Sequence, residues 1–118
     1  MPESVLVHGE IVLPAKMMPG IPAFVRVEVE DISRADMPSE VVAHRSISTG
    51  IVHGGDVIPF EIEVPASVID PQRLYSVRAH VAMSDSGEVE IGDFISMQSF
   101  PVLTRGHGNQ VRVEVRLV

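Results

Sequence analysis

Cysteine is absent from this 118-residue chain, which excludes a disulfide framework, a thiol nucleophile and any thiolate metal site. It does not fix the compartment, because disulfide-free proteins occur on both sides of a bacterial membrane. Tryptophan is absent too, and one Tyr and four Phe are the only other large rings, little material for stacking bases or sugars. Positive charge is scarce: nine Lys and Arg stand against sixteen Asp and Glu, a formal charge of −7, which repels phosphate backbones and anionic lipid. Nucleic acid is therefore not expected as a partner. Long apolar runs are missing as well. The opening MPESVLVHGEIVLP carries Glu3, and its apolar stretch is broken by His8, Gly9 and Glu10, so neither a signal peptide nor a membrane-spanning segment is read there.

What the chain has is alternation. In VIPFEIEV, Ile58, Phe60, Ile62 and Val64 share one face while Pro59, Glu61 and Glu63 share the other, the pattern of a half-buried strand. AFVRVEVED repeats it with Val25, Val27 and Val29 inward. LYSVRAHVAM does so with Tyr75, Val77, Ala79, Val81 and Met83, and QVRVEVRLV with Val111, Val113, Val115 and Leu117. Val5 to Leu13, Val41 to Ser48 and Glu88 to Met97 are weaker strands, the last with Gly92 placed for a bulge. Between them lie turn-formers: MMPGIP, DISRADMPSE, TGIVHGGD, PASVIDPQR, SDSGE and LTRGHGN. No apolar 3.6-residue period persists, although Ala66 to Arg73 has room for one helical turn.

This spacing predicts an all-β fold, one domain over residues 1–118: an antiparallel β-sandwich of about seven strands, Greek-key and immunoglobulin-like or transthyretin-like. If successive strands alternate in direction, the loops at Asp31 to Glu40, Pro65 to Arg73 and Pro101 to Asn109 meet at one end.

Most residues with chemical potential have plain structural readings. The five histidines form no HxH or HExxH pair. His8 and His80 take outward strand phases, and His53 and His107 fall at opposite ends, so no metal site is expected. VHGGD lacks the GxSxG partner of an esterase oxyanion loop and reads as a hairpin turn with Gly54 and Gly55 at positive φ. No catalytic residue and no cofactor site is assigned. IDPQRLYSV resembles a tyrosine corner: Tyr75 is expected to bond backbone near Ile69 to Pro71, with Asp70 capping the turn.

Asp31 continues the inward phase of Val25, Val27 and Val29, where an unpaired carboxylate is costly. Arg34 in sequence and Arg105 across the loops are the expected donors, with Asp36 as a second acceptor. A structural ion pair is the preferred reading of this cluster. A binding surface of Asp31, Arg34, Asp36, Arg105, His107 and Asn109 is the functional one. In the last loop, Val102 and Leu103 are expected inward, Gly106 and Gly108 to permit the reversal, and Asn109 to tolerate left-handed geometry.

Three segments, VEVEDISRADMPSEVVA, IPFEIEVPASVIDPQRLYSVRAHV and FPVLTRGHGNQVRVEV, resemble the YbaY-type bacterial envelope lipoproteins, related to YscW-type lipoproteins that act as pilotins for type III secretion secretins. The similarity runs from about Val25 to the C-terminus. It implies a small β-sandwich in the periplasm or envelope, a non-enzymatic interaction or assembly role, and another envelope protein as partner. Members usually start with a signal peptide and a lipidated cysteine. Neither is in this sequence, which leaves a cytoplasmic version as the alternative location. A small-ligand or glycan-binding domain is the alternative function, to be recognised by a concave apolar pocket with convergent polar groups.

Overall fold

The computed structural model describes residues 3–16, 21–34, 36, 38–82 and 88–118. Among these residues eight strands follow one another: β1 Ser4–Val12, β2 Ile21–Asp31, β3 Glu40–Val52, β4 Val57–Pro65, β5 Tyr75–Ala82, β6 Phe94–Ser96, β7 Pro101–Val102 and β8 Gln110–Leu117. A short 3-10 helix, Ala66–Val68, occupies the stretch where one helical turn was expected. The inward phases read from the sequence are those buried: Val25, Val27, Val29, Phe60, Ile62, Val77, Val81, Val113 and Val115 all lie in the core. Met83, the MMPG part of the first loop and the SDSG turn fall outside the described residues.

The architecture departs from the expected sandwich. All eight strands belong to one sheet, ordered β3-β2-β5-β6-β8-β1-β4 with β7 also on β5, and this sheet curls into a nearly closed barrel. The expected antiparallel arrangement is broken once, where β1 runs parallel to β8 and joins the two ends of the chain. Period-two alternation cannot separate the two architectures, since a sandwich and a barrel each bury every second side chain. The Glu88 to Met97 segment also forms less strand than expected. Only Phe94–Ser96 is extended, and Gly92, at φ 101°, makes a turn before it rather than a bulge within it.

VHGGD does turn the chain, but β3 and β4 do not pair as a hairpin; they diverge to opposite ends of the sheet. Gly55 takes positive φ, at 81°. Gly54 does not, and is required for another reason: a Cβ there would lie 2.3 Å from the Ala15 carbonyl oxygen.

Gly9 permits the parallel contact. A Cβ at this position would sit 1.7 Å from the Val111 carbonyl oxygen, so the β1 and β8 backbones reach their spacing only because no side chain intervenes. Gly9→Ala is expected to destabilise the protein by at least about 3 kcal/mol, because the obstacle is backbone and cannot rotate away. Urea unfolding checks this, and a loss below about 1 kcal/mol would mean that the ladder shifts freely.

Candidate functional site

Two regions combine polar chemistry with structural definition. The first is the end where the three irregular loops meet. Strand directions alternate except between β6 and β7, which both run antiparallel to β5 and count as one interrupted strand, and hydrogen bonds join all three loops. Ser33 Oγ accepts the Leu74 amide at 2.8 Å, Thr104 Oγ1 donates to the Arg73 carbonyl at 2.5 Å, and Arg105 Nη1 donates to the Gln72 carbonyl at 3.2 Å.

Asp31 is buried at the end of β2, on the phase that alternation gave it. Its principal cation is Arg73, with Nη1 2.6 Å from Oδ2, and neither Arg34 nor Arg105 takes that place. The reason is register. Asp31 lies opposite Tyr75 in the β2–β5 ladder, so a residue two positions before Tyr75 is brought to its carboxylate. Oδ1 accepts the Ser33 hydroxyl at 2.6 Å and the Ser33 amide at 3.0 Å. Burial alone would raise the Asp31 pKa; the Ser33 hydroxyl, the Arg73 guanidinium and the Ser33 amide outweigh it and hold the carboxyl below its ordinary value. Arg34 lines a shallow cleft with Asp31, Pro38, Glu40 and Arg73. Asp36, Arg105, His107 and Asn109 are exposed and do not line it.

Tyr75 is buried at the corner, donating to the Val68 carbonyl at 3.0 Å and accepting the Asp70 amide at 2.8 Å. The Asp70 amide lies within the expected backbone stretch, Ile69 to Pro71, and the Val68 carbonyl one residue before it. Asp70 Oδ1 accepts the Gln72 amide at 2.9 Å.

The last loop is wound differently from expectation. Positive φ occurs at Leu103 (75°), Arg105 (59°) and Gly106 (86°), not at Gly108 or Asn109. The Thr104 amide bonds the Val102 carbonyl across Leu103, and the His107 amide bonds the Thr104 carbonyl across Arg105 and Gly106. Left-handed Leu and Arg each cost about 1–3 kcal/mol, a strain sustained by Thr104, which is buried and fixed to Arg73.

His80 was placed on an outward phase, yet it is only 12% exposed at its side chain and pairs with Asp93, 2.8 Å away and almost fully buried. The sequence reading missed Asp93. The signal was Gly92 before it, which marks the turn in which Asp93 Oδ2 also accepts the Glu90 amide at 2.9 Å. Among the described residues no group of three or more His, Asp or Glu is arranged to hold a metal ion.

The second region is the opening between the sheet's two ends. A groove of about 440 Å³ lies there, lined by His8, Gly9, Glu10, Arg45, Ile47, Pro59, Phe60, Glu61 and Gln110. In place of a ladder, Arg45 Nη1 reaches from β3 to the Glu61 carbonyl of β4 at 3.0 Å.

These features define a small all-β protein whose sheet curls almost shut, braced at one end and left with a seam along its side. The chain belongs to the type III secretion system lipoprotein chaperone family (YscW), whose family model matches residues 2–115. Its fold is similar to that of an alternative pilotin from the type II secretion system of Vibrio cholerae, with TM-score 0.74, 22% sequence identity and 98% of each chain covered. No curated protein sequence matches the chain. Membership implies a protein partner in secretion and association with the envelope. Among the described residues no helix is long and apolar enough to cross a membrane.

Two predictions concern the braced end. The Asp31 carboxylate has a folded-state pKa below its unfolded value of about 3.9, so its contribution to stability is complete above that pH and is lost as pH falls through the folded-state value. Asp31→Asn should therefore flatten the acid limb of the stability curve below about pH 4, as read by urea midpoints across pH. Arg105→Ala, which removes one exposed hydrogen bond and no carboxylate pair, should cost less than about 1 kcal/mol. A greater loss in thermal or urea unfolding would show that Arg105 secures the loops by itself.

Proposed function

We propose that this protein is a non-enzymatic, YbaY-like assembly module of the bacterial envelope, chaperone- or pilotin-like, which holds a partner polypeptide in the seam between β3 and β4. The observation that carries this reading is the open sheet. β3 and β4 are its end strands, no ladder pairs them among the described residues, and the Arg45 side chain bridges their edges to the Glu61 carbonyl. Unpaired strand edges are the elements proteins use to engage extended segments of others. Family membership supplies the class of partner.

The braced end has a different task. Its buried groups, Asp31, Thr104 and Tyr75, are occupied in holding loops to one another, which supports the structural reading of the charged cluster. Arg105, His107 and Asn109, exposed on its rim, form the secondary surface for a partner. The small-ligand alternative has less support, because the seam groove is open and its lining mixes three charged side chains with few apolar ones.

Site-specific photo-crosslinking in living cells tests this reading. A benzophenone amino acid at Ser46, on the seam strand, should yield a discrete adduct with an envelope protein, while one at His107 should yield less. Adducts confined to His107 would move the partner surface to the braced end. Adducts at neither position would remove the proposed role.

A further inference from the structure

The two edges of the seam are not equivalent. At both ends of the β1–β4 ladder, bonds from the Ala66 amide to the Glu3 carbonyl and from the Leu13 amide to the Asp56 carbonyl use even-numbered residues of the β4 side. The regular register between them then turns the backbone groups of Val57, Pro59, Glu61, Glu63 and Pro65 toward the seam. The Arg45 bond to the Glu61 carbonyl agrees. Two of these five residues are proline and offer no N–H, and two are glutamate, so β4 presents a blunted edge.

The β3 edge is open by comparison. The Ile32 amide bonds the Leu74 carbonyl, which by the β2–β5 register directs even-numbered β2 residues to β5 and odd-numbered ones to β3. Val25, Val27 and Val29 therefore bond Ile47, Arg45 and Ala43, leaving the backbone groups of His44, Ser46 and Ser48 directed into the seam. β3 spans 13 residues without a proline.

Side chains define what fits. Arg45 lies opposite the buried Val27 and so has the inward phase, but its guanidinium stretches across the seam to β4. A bond that needs a whole arginine side chain implies edges farther apart than the roughly 4.8 Å of a ladder. Ile47 and Phe60 line the inner side, and Glu61 and Glu63 stand outward on the β4 flank.

We propose that the seam takes an extended, proline-free polypeptide segment that adds as a strand to the β3 edge at His44, Ser46 and Ser48, with alternate basic side chains facing Glu61 and Glu63 and Arg45 as a displaceable latch. This rests on the reading that the seam receives a partner polypeptide, and adds its edge, conformation and charge. Charge complementarity selects a basic segment, since the β4 flank is acidic and the chain carries −7. The scarcity of apolar lining argues against the greasy face of a helix.

The probe is a peptide of about ten residues alternating valine and lysine, a length that matches a strand, added to isotope-labelled full chain and read by amide hydrogen exchange. Exchange at His44, Ser46 and Ser48 should slow by about tenfold or more. N-methylation of alternate peptide amides, replacement of lysine by glutamate, or Ser46→Pro in the protein should each remove this protection, with Ser46→Pro leaving the melting temperature unchanged. Arg45→Ala should tighten binding by about threefold or more; weaker binding would overturn the latch. Protection at Glu61 and Glu63 instead, or binding that survives N-methylation, would overturn strand addition to β3. So would protection that needs no peptide and grows with protein concentration, since a second copy would then be the occupant. If the Ser46 crosslink captures an envelope protein while these amides stay unprotected, the strand mode fails and the polypeptide reading stands. If neither is seen, both fail.

Discussion

The His8 amide meets the Asn109 carbonyl at 2.9 Å and begins a parallel ladder that continues through Gly9 beside Val111 to Val12 beside Glu114. Much of the structure depends on that contact. It joins the first strand to the last, and with β4 already on the other side of β1 it carries β4 around toward β3. A side chain at position 9 would collide with backbone, so the curl is fixed by an atom that is missing. Without this ladder the strand set would have no reason to favour one curled sheet over two facing ones. With it, the hydrophobic rows of all the long strands converge on a shared core.

The same curl separates two kinds of polar surface. At the loop end the carboxylate of Asp31 is too buried to be left alone, and a positively charged side chain 42 residues away meets it. Ser33 and Thr104 then knit the neighbouring backbones, and that network supports two left-handed side-chain-bearing residues in the last loop. Such strain persists only where surroundings over-determine it. A segment this constrained is suited to bracing the barrel mouth. The seam is the reverse: its backbone groups lack ladder partners among the described residues, and one flexible side chain spans it.

How much was legible follows from which interactions are local. Alternation is a property of single strands, and the buried row Val25, Val27, Val29 could be read because each residue carries its own apolar side chain. The meeting of three loops followed from strand direction alone. Tyr75 was legible from its position after a corner. The partner of Asp31 was not, because choosing Arg73 over Arg34 or Arg105 requires the β2–β5 register, a long-range fact that no short spacing encodes. Asp93 was hidden for a related reason: its burial comes from a turn folding back on His80 of another strand. The barrel itself was out of reach, since its cause is a backbone approach at a glycine that in the sequence reads as an interruption of β1.

An unpaired edge is hazardous to its owner, and the sequence of β3 bears the marks of managing that hazard. Its outward residues near the middle are His44, Ser46 and Ser48, and its inward edge position is Arg45. An inward-pointing charge on an edge strand discourages indiscriminate pairing, and here it reaches across the gap to the Glu61 carbonyl. Yet no proline closes β3, whereas two close β4. Protection by a movable side chain and protection by a ring that abolishes the donor differ in kind: the first can be withdrawn when a segment of the right charge arrives, and the second cannot. Placing the reversible guard on one edge and the permanent one on the other gives the seam a direction, which is what a chaperone-type module requires if it is to accept one polypeptide and refuse its own copies.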